Sequence, residues 1–339
     1  MEIAEIVALR RNGTGERLTA PPARSTPEQW LDDRVLHLRI IVPPDRTTAV
    51  RELLTGNDAV THIVVLPGAA VEPVGDLLFC DVVREGASAI IERLRGLGIE
   101  RDGSIMLEKV DTTLSAAADR AERRVPGLGV DAVVWEEIEH ATAEESELSG
   151  AYLTFMIVAT VIAGIGVLLD QPILIVGAMV VGPEFGPLAA LCVGLVRRRP
   201  GLIRRALLAL GVGFGVGMVV TVATTWALDA LGLVHKGMLL GPRPMTEFIW
   251  QPDALSWVIG FLAGVAGMLS LTSAKAGTLV GVLISVTTVP AAANVAVALA
   301  YGVTDEAAGS ALQLLINVAA IVAAGVLTLS VQRFAGRRR

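Results

Sequence analysis

One acid stands among two prolines and two glycines in Gly182-Pro183-Glu184-Phe185-Gly186-Pro187, inside a run from Pro172 to Val196 that is otherwise apolar. A carboxylate near the centre of a bilayer costs at least about 2.5–3.5 kcal/mol on lenient insertion scales, so Glu184 is expected to face water, a cation or a partner charge. The chemistry that fits is reversible binding of a proton or cation. The alternative is a side chain that reaches an interface and is merely solvated. Gly182, Pro183, Gly186 and Pro187 cannot continue a regular helix, which predicts a break or re-entry at this point. Backbone freed at membrane depth is tolerated where protein or water satisfies it, so such a break is expected to border a cavity.

A second break is expected at Ser285-Val286-Thr287-Thr288-Val289-Pro290, with Asn294 one turn beyond. The hydroxyls of Ser285, Thr287 and Thr288 either coordinate a cation or bond back to their own helix. Gln313 and Asn317, spaced i, i+4, share one helix face and either clamp a neighbouring helix or line a pathway. Little else suggests chemistry. His37, His62, His140 and His235 are scattered along the chain, there is no Walker loop or HExxH, and the serines lack a matching base. No enzymatic activity and no cofactor are expected; a bound metal is left open. Cys80 and Cys192 fall in different compartments on this reading and are expected to be buried structural residues.

The elements that hold these residues follow from composition. Hydrophobic residues make up 53% of the 339, and the mean hydropathy is +0.61, which places the chain among membrane proteins. The charge is uneven. Residues 1–149 carry 27 Asp and Glu against 16 Lys and Arg, whereas residues 150–339 carry 7 against 12. The acidic half excludes nucleic acid as a partner, because phosphate neutralisation needs clustered Lys and Arg. Six runs reach the ~20 residues that a span requires: Gly150 to Leu169, Pro172 to Val196, Ala206 to Val234, Ala254 to Thr272, Ala276 to Tyr301 and Ala308 to Gln332. Arg197, Arg198, Arg199, Arg204, Arg205, Lys275 and the tail from Arg333 to Arg339 put the positive loops on one side. The polar N-terminus shows no cleavable signal peptide. A multi-pass protein of the cell (plasma or inner) membrane with both termini cytoplasmic is therefore expected. Three spans per half also fit a 3+3 inverted repeat with broken middle helices. Gly211, Gly213, Gly215, Gly217, Gly260 and Gly264 supply faces for close helix packing within or between subunits.

Before the membrane half, residues 1–30 read as a flexible leader and 31–114 as a compact domain. Leu36, Leu38, Ile40 and Val42 alternate as in a strand. A helix follows Pro43-Pro44, capped by Asp45 and stopped by Gly56. Strands are expected over Val60 to Leu66 and Asp76 to Arg84, with a turn region from Pro67 to Gly75. A helix from Ala87 to Leu97 and a strand from Ser104 to Val110 complete the order βαββαβ, the α+β ferredoxin-like arrangement. Residues 115–149 read as an acidic linker, helical from Ala132 to Leu148. Its glutamates either form a solvated face or a vestibule that attracts cations. Residues 150–332 then form the α-helical transmembrane domain and 333–339 a basic tail.

Gly177-Ala178-Met179 leading into Gly182 to Pro187, the stretch Gly277 to Pro290, and Leu315-Ile316-Asn317 resemble the bacterial membrane family catalogued as domain of unknown function 389. The resemblance covers about Gly150 to Gly325. The family pattern more often reads Ser-Pro-Leu-Met-Gly-Pro at Gly182 to Pro187 and carries a second proline where this chain has Ala291, so Glu184 is a departure. The resemblance implies a multi-span fold and supplies no activity. Two functions fit these features: a transporter or channel for an ion or small solute with a cytoplasmic regulatory or assembly domain, or a membrane-anchored ligand sensor or scaffold without transport. The expected partners are the lipid bilayer, further copies of the chain as a homo-oligomer, and an ion or small-molecule ligand.

Overall fold

A computed structural model describes residues 35–110, 115–125, 133–251, 254–272 and 280–337, with the side chains of 122, 280–287 and 336–337 outside the description. The expected leader, Lys275 and the side chains of Ser285 and Thr287 lie outside the described residues.

The first region is a four-stranded antiparallel sheet with helices on it. Its elements run β1 (Val35–Val42), α1 (Thr47–Thr55), β2 (Val60–Val71), β3 (Val74–Val83), α2 (Arg84–Gly96), α3 (Ile99–Asp102) and β4 (Ser104–Lys109), in the sheet order β2-β3-β1-β4. The alternating apolar residues of β1 decide which face is covered: Leu36, Leu38, Ile40 and Val42 are buried against Val50, Leu53 and Leu54 of α1 and Ala87, Ile90, Ile91 and Leu94 of α2.

Three local expectations are corrected. Pro67 to Gly75 is not a turn region, because β2 continues to Val71 and only Glu72 and Pro73 separate it from β3. Edge position explains this: β2 ends the sheet, so Pro67 removes no ladder hydrogen bond, and the register shift between Leu66 and Ala70 absorbs Gly68 at φ 64°. The Gly68 N–H is satisfied by Asp76 Oδ1 at 2.7 Å. Asp45 does not cap α1; a turn closed from the Arg46 N–H to the Pro43 carbonyl places Arg46 there instead. Among the described residues of the acidic linker there are two shorter helices, α4 (Ala116–Arg124) and α5 (Trp135–Glu145).

The rest is an apolar bundle: α6 (Gly150–Leu168), α7 (Pro172–Val181), α8 (Phe185–Arg197), α9 (Pro200–Ala230), α10 (Lys236–Leu240), α11 (Ala254–Thr272), α12 (Val280–Ala300) and α13 (Thr304–Arg337). Among the described residues four of these are long and apolar enough to cross a membrane, or five if α7 and α8, bent by 55°, make one span. Glycines set the closest approaches: an added Cβ at Gly213 would strike Tyr152, at Gly217 Thr160, and at Gly264 the Ile321 backbone.

The acidic face of α5 is not simply solvated. Arg197 Nε bonds Glu139 Oε1 at 2.6 Å and lies over the Trp135 ring, Arg84 Nη2 bonds Glu137 Oε2 at 3.0 Å, and Ser88 Oγ donates to Glu136 at 2.7 Å. These contacts tie α2 of the sheet region, through α5, to the end of α8. Trp135 and Ile138 complete the joint by packing on Ala189, Cys192, Val193 and Val196.

Candidate functional site

The chain does break where the prolines and glycines demand it. α7 stops at Val181, residues 182–184 are irregular, and α8 begins at Phe185 with Glu184 in its N-cap position. Pro187 falls in the first turn of α8, where a missing N–H leaves no helical bond unmade. Gly182 is required by crowding, since a Cβ there would meet the Glu184 carboxylate and Val289. Gly186 is required in the same way by Glu145 at the end of α5, whose carboxyl is raised above its ordinary value by partial desolvation.

Glu184 is fully buried, and the Thr288 hydroxyl donates to its Oε1 at 3.0 Å. The interface-solvated alternative therefore does not hold. The expected second break is also corrected, because α12 runs without interruption through Pro290. A buried helix tolerates this loss when neighbouring groups re-satisfy the backbone. The two segments thus differ: α7 and α8 are bent against each other, whereas α12 is continuous.

Asn294 and the polar residues of α13 form a second cluster farther along. Asn294 Nδ2 donates to Glu306 Oε1 at 3.0 Å and to Ser310 Oγ at 2.7 Å, and Arg243 Nη2 bonds the same Glu306 oxygen at 2.5 Å. All four side chains are buried. Arg243 and Glu306 were not among the residues singled out by sequence, because each sits in a loop or first turn that reads as solvent-facing. Their signal is faint: Arg243 falls, with Lys236, in the connection between α9 and α11.

Along α13 the buried polar residues Glu306, Ser310, Gln313 and Asn317 follow spacings of four, three and four, which is one face of a helix. This row advances about 16 Å along the axis. α12 runs antiparallel beside it, and the Asn294–Ser310 bond fixes the register. From that bond, Thr288 lies about 9 Å along α12 and Asn317 about 10 Å along α13 in the same direction. The row therefore reaches the depth of the Glu184–Thr288 pair. Between the two clusters, Gln313 and Pro290 line a cavity of about 60 Å³ with Phe248, Ile249, Ser256, Ile259 and Ala291. That is room for several waters. The Gln313 Oε1 is buried without a hydrogen-bond partner, and the rest of the lining is chiefly apolar. No group of three or more His, Cys, Asp or Glu able to hold a metal occurs among the described residues.

No curated protein and no solved structure matches the chain. Residues 179–323 match a family model, a stretch that holds every polar group of the row from Gly182 to Asn317. Over that stretch the chain is similar to the family described as Domain of unknown function (DUF389).

Proposed function

We propose that the helical bundle is a regulated pathway across a membrane for an ion or small polar solute, with Glu184 as the proton- or cation-responsive group at its inner end. One observation carries this reading: buried polar side chains continue from Glu306 to Asn317 at the depth of Glu184 and Thr288, with a cavity along the way. A bundle that only anchored another domain would gain more from apolar contacts at these positions, since each buried polar group must find a partner.

On this reading α12 is a sixth span, both termini lie on the cytoplasmic side, and the chain works as a homo-oligomer. The sheet region, whose strand order fits a ferredoxin-like domain, regulates the path through α5. Glu145 against Gly186 puts that control beside the break. A ligand sensor without transport remains the competing use of the same joint.

Flux decides between them. Proteoliposomes holding wild type or Glu184→Gln are assayed for proton, sodium, potassium, ammonium, chloride and urea movement across pH. Transport above empty liposomes that falls, or loses its pH dependence, in Glu184→Gln is expected. A folded, oriented protein with no flux for the whole panel would sink the pathway and leave the sensor.

A further inference from the structure

Outside the bundle, side chains from separate elements meet in an order with known chemistry. Ser115 Oγ lies 2.8 Å from His62 Nε2, and His62 Nδ1 lies 2.7 Å from Asp81 Oδ2. The other Asp81 oxygen is 2.7 Å from His37 Nδ1. Two of the four histidines that look scattered in sequence, His37 and His62, thus converge, and one serine has a base after all. β1, β2 and β3 supply His37, His62 and Asp81, and Ser115 is the N-cap of α4.

Several features favour a working arrangement over a chance one. Asp81 is more screened than the base, at 17% side-chain exposure against 39% for His62, so the orienting carboxylate is shielded while the base stays reachable. His37, stacked on Phe79 with ring centroids 5.6 Å apart, holds that carboxylate from its other side. His62 adopts φ 50°, where the register of β2 with β3 slips between Thr61 and Val64. Left-handed backbone is costly for a residue with a Cβ, and such strain gathers at functional sites. Here the slip turns the imidazole out of the ladder towards Ser115.

We propose that Ser115, His62 and Asp81 form a nucleophilic triad that hydrolyses small activated carboxylic esters, with His37 as a positioning residue for Asp81. With Nδ1–H donated to Asp81, the His62 Nε2 lone pair accepts the Ser115 hydroxyl proton as Oγ bonds to the acyl carbon. Collapse of the tetrahedral adduct breaks the ester C–O bond, and the departing alcohol or phenol takes the proton from His62. Water then attacks the acyl carbon, its proton passes to Nε2, and Ser115 leaves with that proton to release the carboxylic acid. No electrons change hands. The N–H groups of Ala117 and Ala118 now point at Ser115 Oγ from 3.2 and 3.4 Å, at the start of a nine-residue helix. The oxyanion develops on the atom next to the new bond, within reach of the same donors.

Ser115 also caps α4, so its removal alone would confuse a lost nucleophile with a frayed helix. Ser115→Asn separates the two, because Asn keeps the cap acceptor and cannot form the ester. The full chain in nanodiscs is assayed with p-nitrophenyl acetate and labelled with a fluorophosphonate, and the adduct is located by peptide mass spectrometry. We expect labelling at Ser115, phenolate release above the uncatalysed rate, and loss of both in Ser115→Asn at an unchanged melting temperature. His62→Gln should slow labelling about 100-fold. Unchanged phenolate release in Ser115→Asn, or adducts absent from Ser115, would overturn the proposal.

Discussion

Arg243 and Glu306 at the far end of the bundle, and Arg197 and Glu139 at the joint with the sheet region, are the same chemical pair in different surroundings. The side chains are 6% and 7% exposed in the first, 12% and 17% in the second, where Arg199 adds a further cation that is 52% exposed. Deep burial makes desolvation about as large as the Coulombic gain, so the first pair adds little as a pair, yet either member alone is hard to tolerate. At the joint, water and several partners share the load. Losing one contact there leaves others. The comparison separates two uses of charge: a fixed internal register at the far end, and an adjustable connection at the joint.

The far pair should give the largest effect. Arg243→Met leaves Glu306 buried without its guanidinium and is expected to cost about 3–5 kcal/mol of unfolding free energy in micelles. The double variant Arg243→Met with Glu306→Leu should recover a large part of that loss. If single and double variants are equally mild, the far pair is as well hydrated as the joint and the comparison collapses.

Added bulk probes the buried helix contacts without changing charge. Gly264→Ala places a methyl against the Ile321 backbone and Ala324 Cβ, and overpacking of this kind costs about 1–3 kcal/mol. Gly211, whose added Cβ meets nothing, is the control. Gly211→Ala should be neutral or stabilise by up to about 1 kcal/mol through helix propensity. Equal losses at both positions would mean that crowding does not set the spacing of α11 and α13.

At the joint the expected loss is smaller. A double-mutant cycle with Glu139→Gln and Arg197→Gln should give a coupling of about 0.2–1 kcal/mol. It should shrink as salt rises from about 0.1 to 1 M, where the screening length falls from about 10 to 3 Å. A larger, salt-insensitive coupling would place the joint in the same class as the far pair.

The sequence made some of this legible and hid the rest for physical reasons. The break at Gly182 to Pro187 was readable because Pro and Gly act locally, through a missing N–H and missing Cβ atoms. Pro290 misled, since whether a helix survives one lost bond depends on its neighbours rather than on the residue. Gln313 and Asn317 were found by periodicity, but the full row needed Ser310 and Glu306, which belong to the same face and look ordinary at a helix start. Long-range partners were invisible in principle. Asp81 lies 44 residues from His37 and 19 from His62, and only the β2-β3-β1 order brings the three together.

The weakest charge effect should come from outside both the joint and the far pair, at Asp102, which is more exposed than Glu139 or Glu306. Hydrogen bonds from Arg101, at 3.0 and 3.1 Å, and from Arg46, at 2.7 Å, hold its carboxyl at about 2. The unfolded chain titrates near 3.9. A carboxyl depressed in the folded state binds its proton later on acidification than the unfolded one does. Its contribution to stability is therefore complete above about pH 4 and disappears as pH falls towards 2. Asp102→Asn should flatten the decline of melting temperature over that window and leave the curve near neutrality parallel to wild type. An unaltered acid slope would mean that water screens the Arg101 and Arg46 contacts fully. The ranking by exposure would then end in a group with no measurable share, as solvent screening of surface pairs allows.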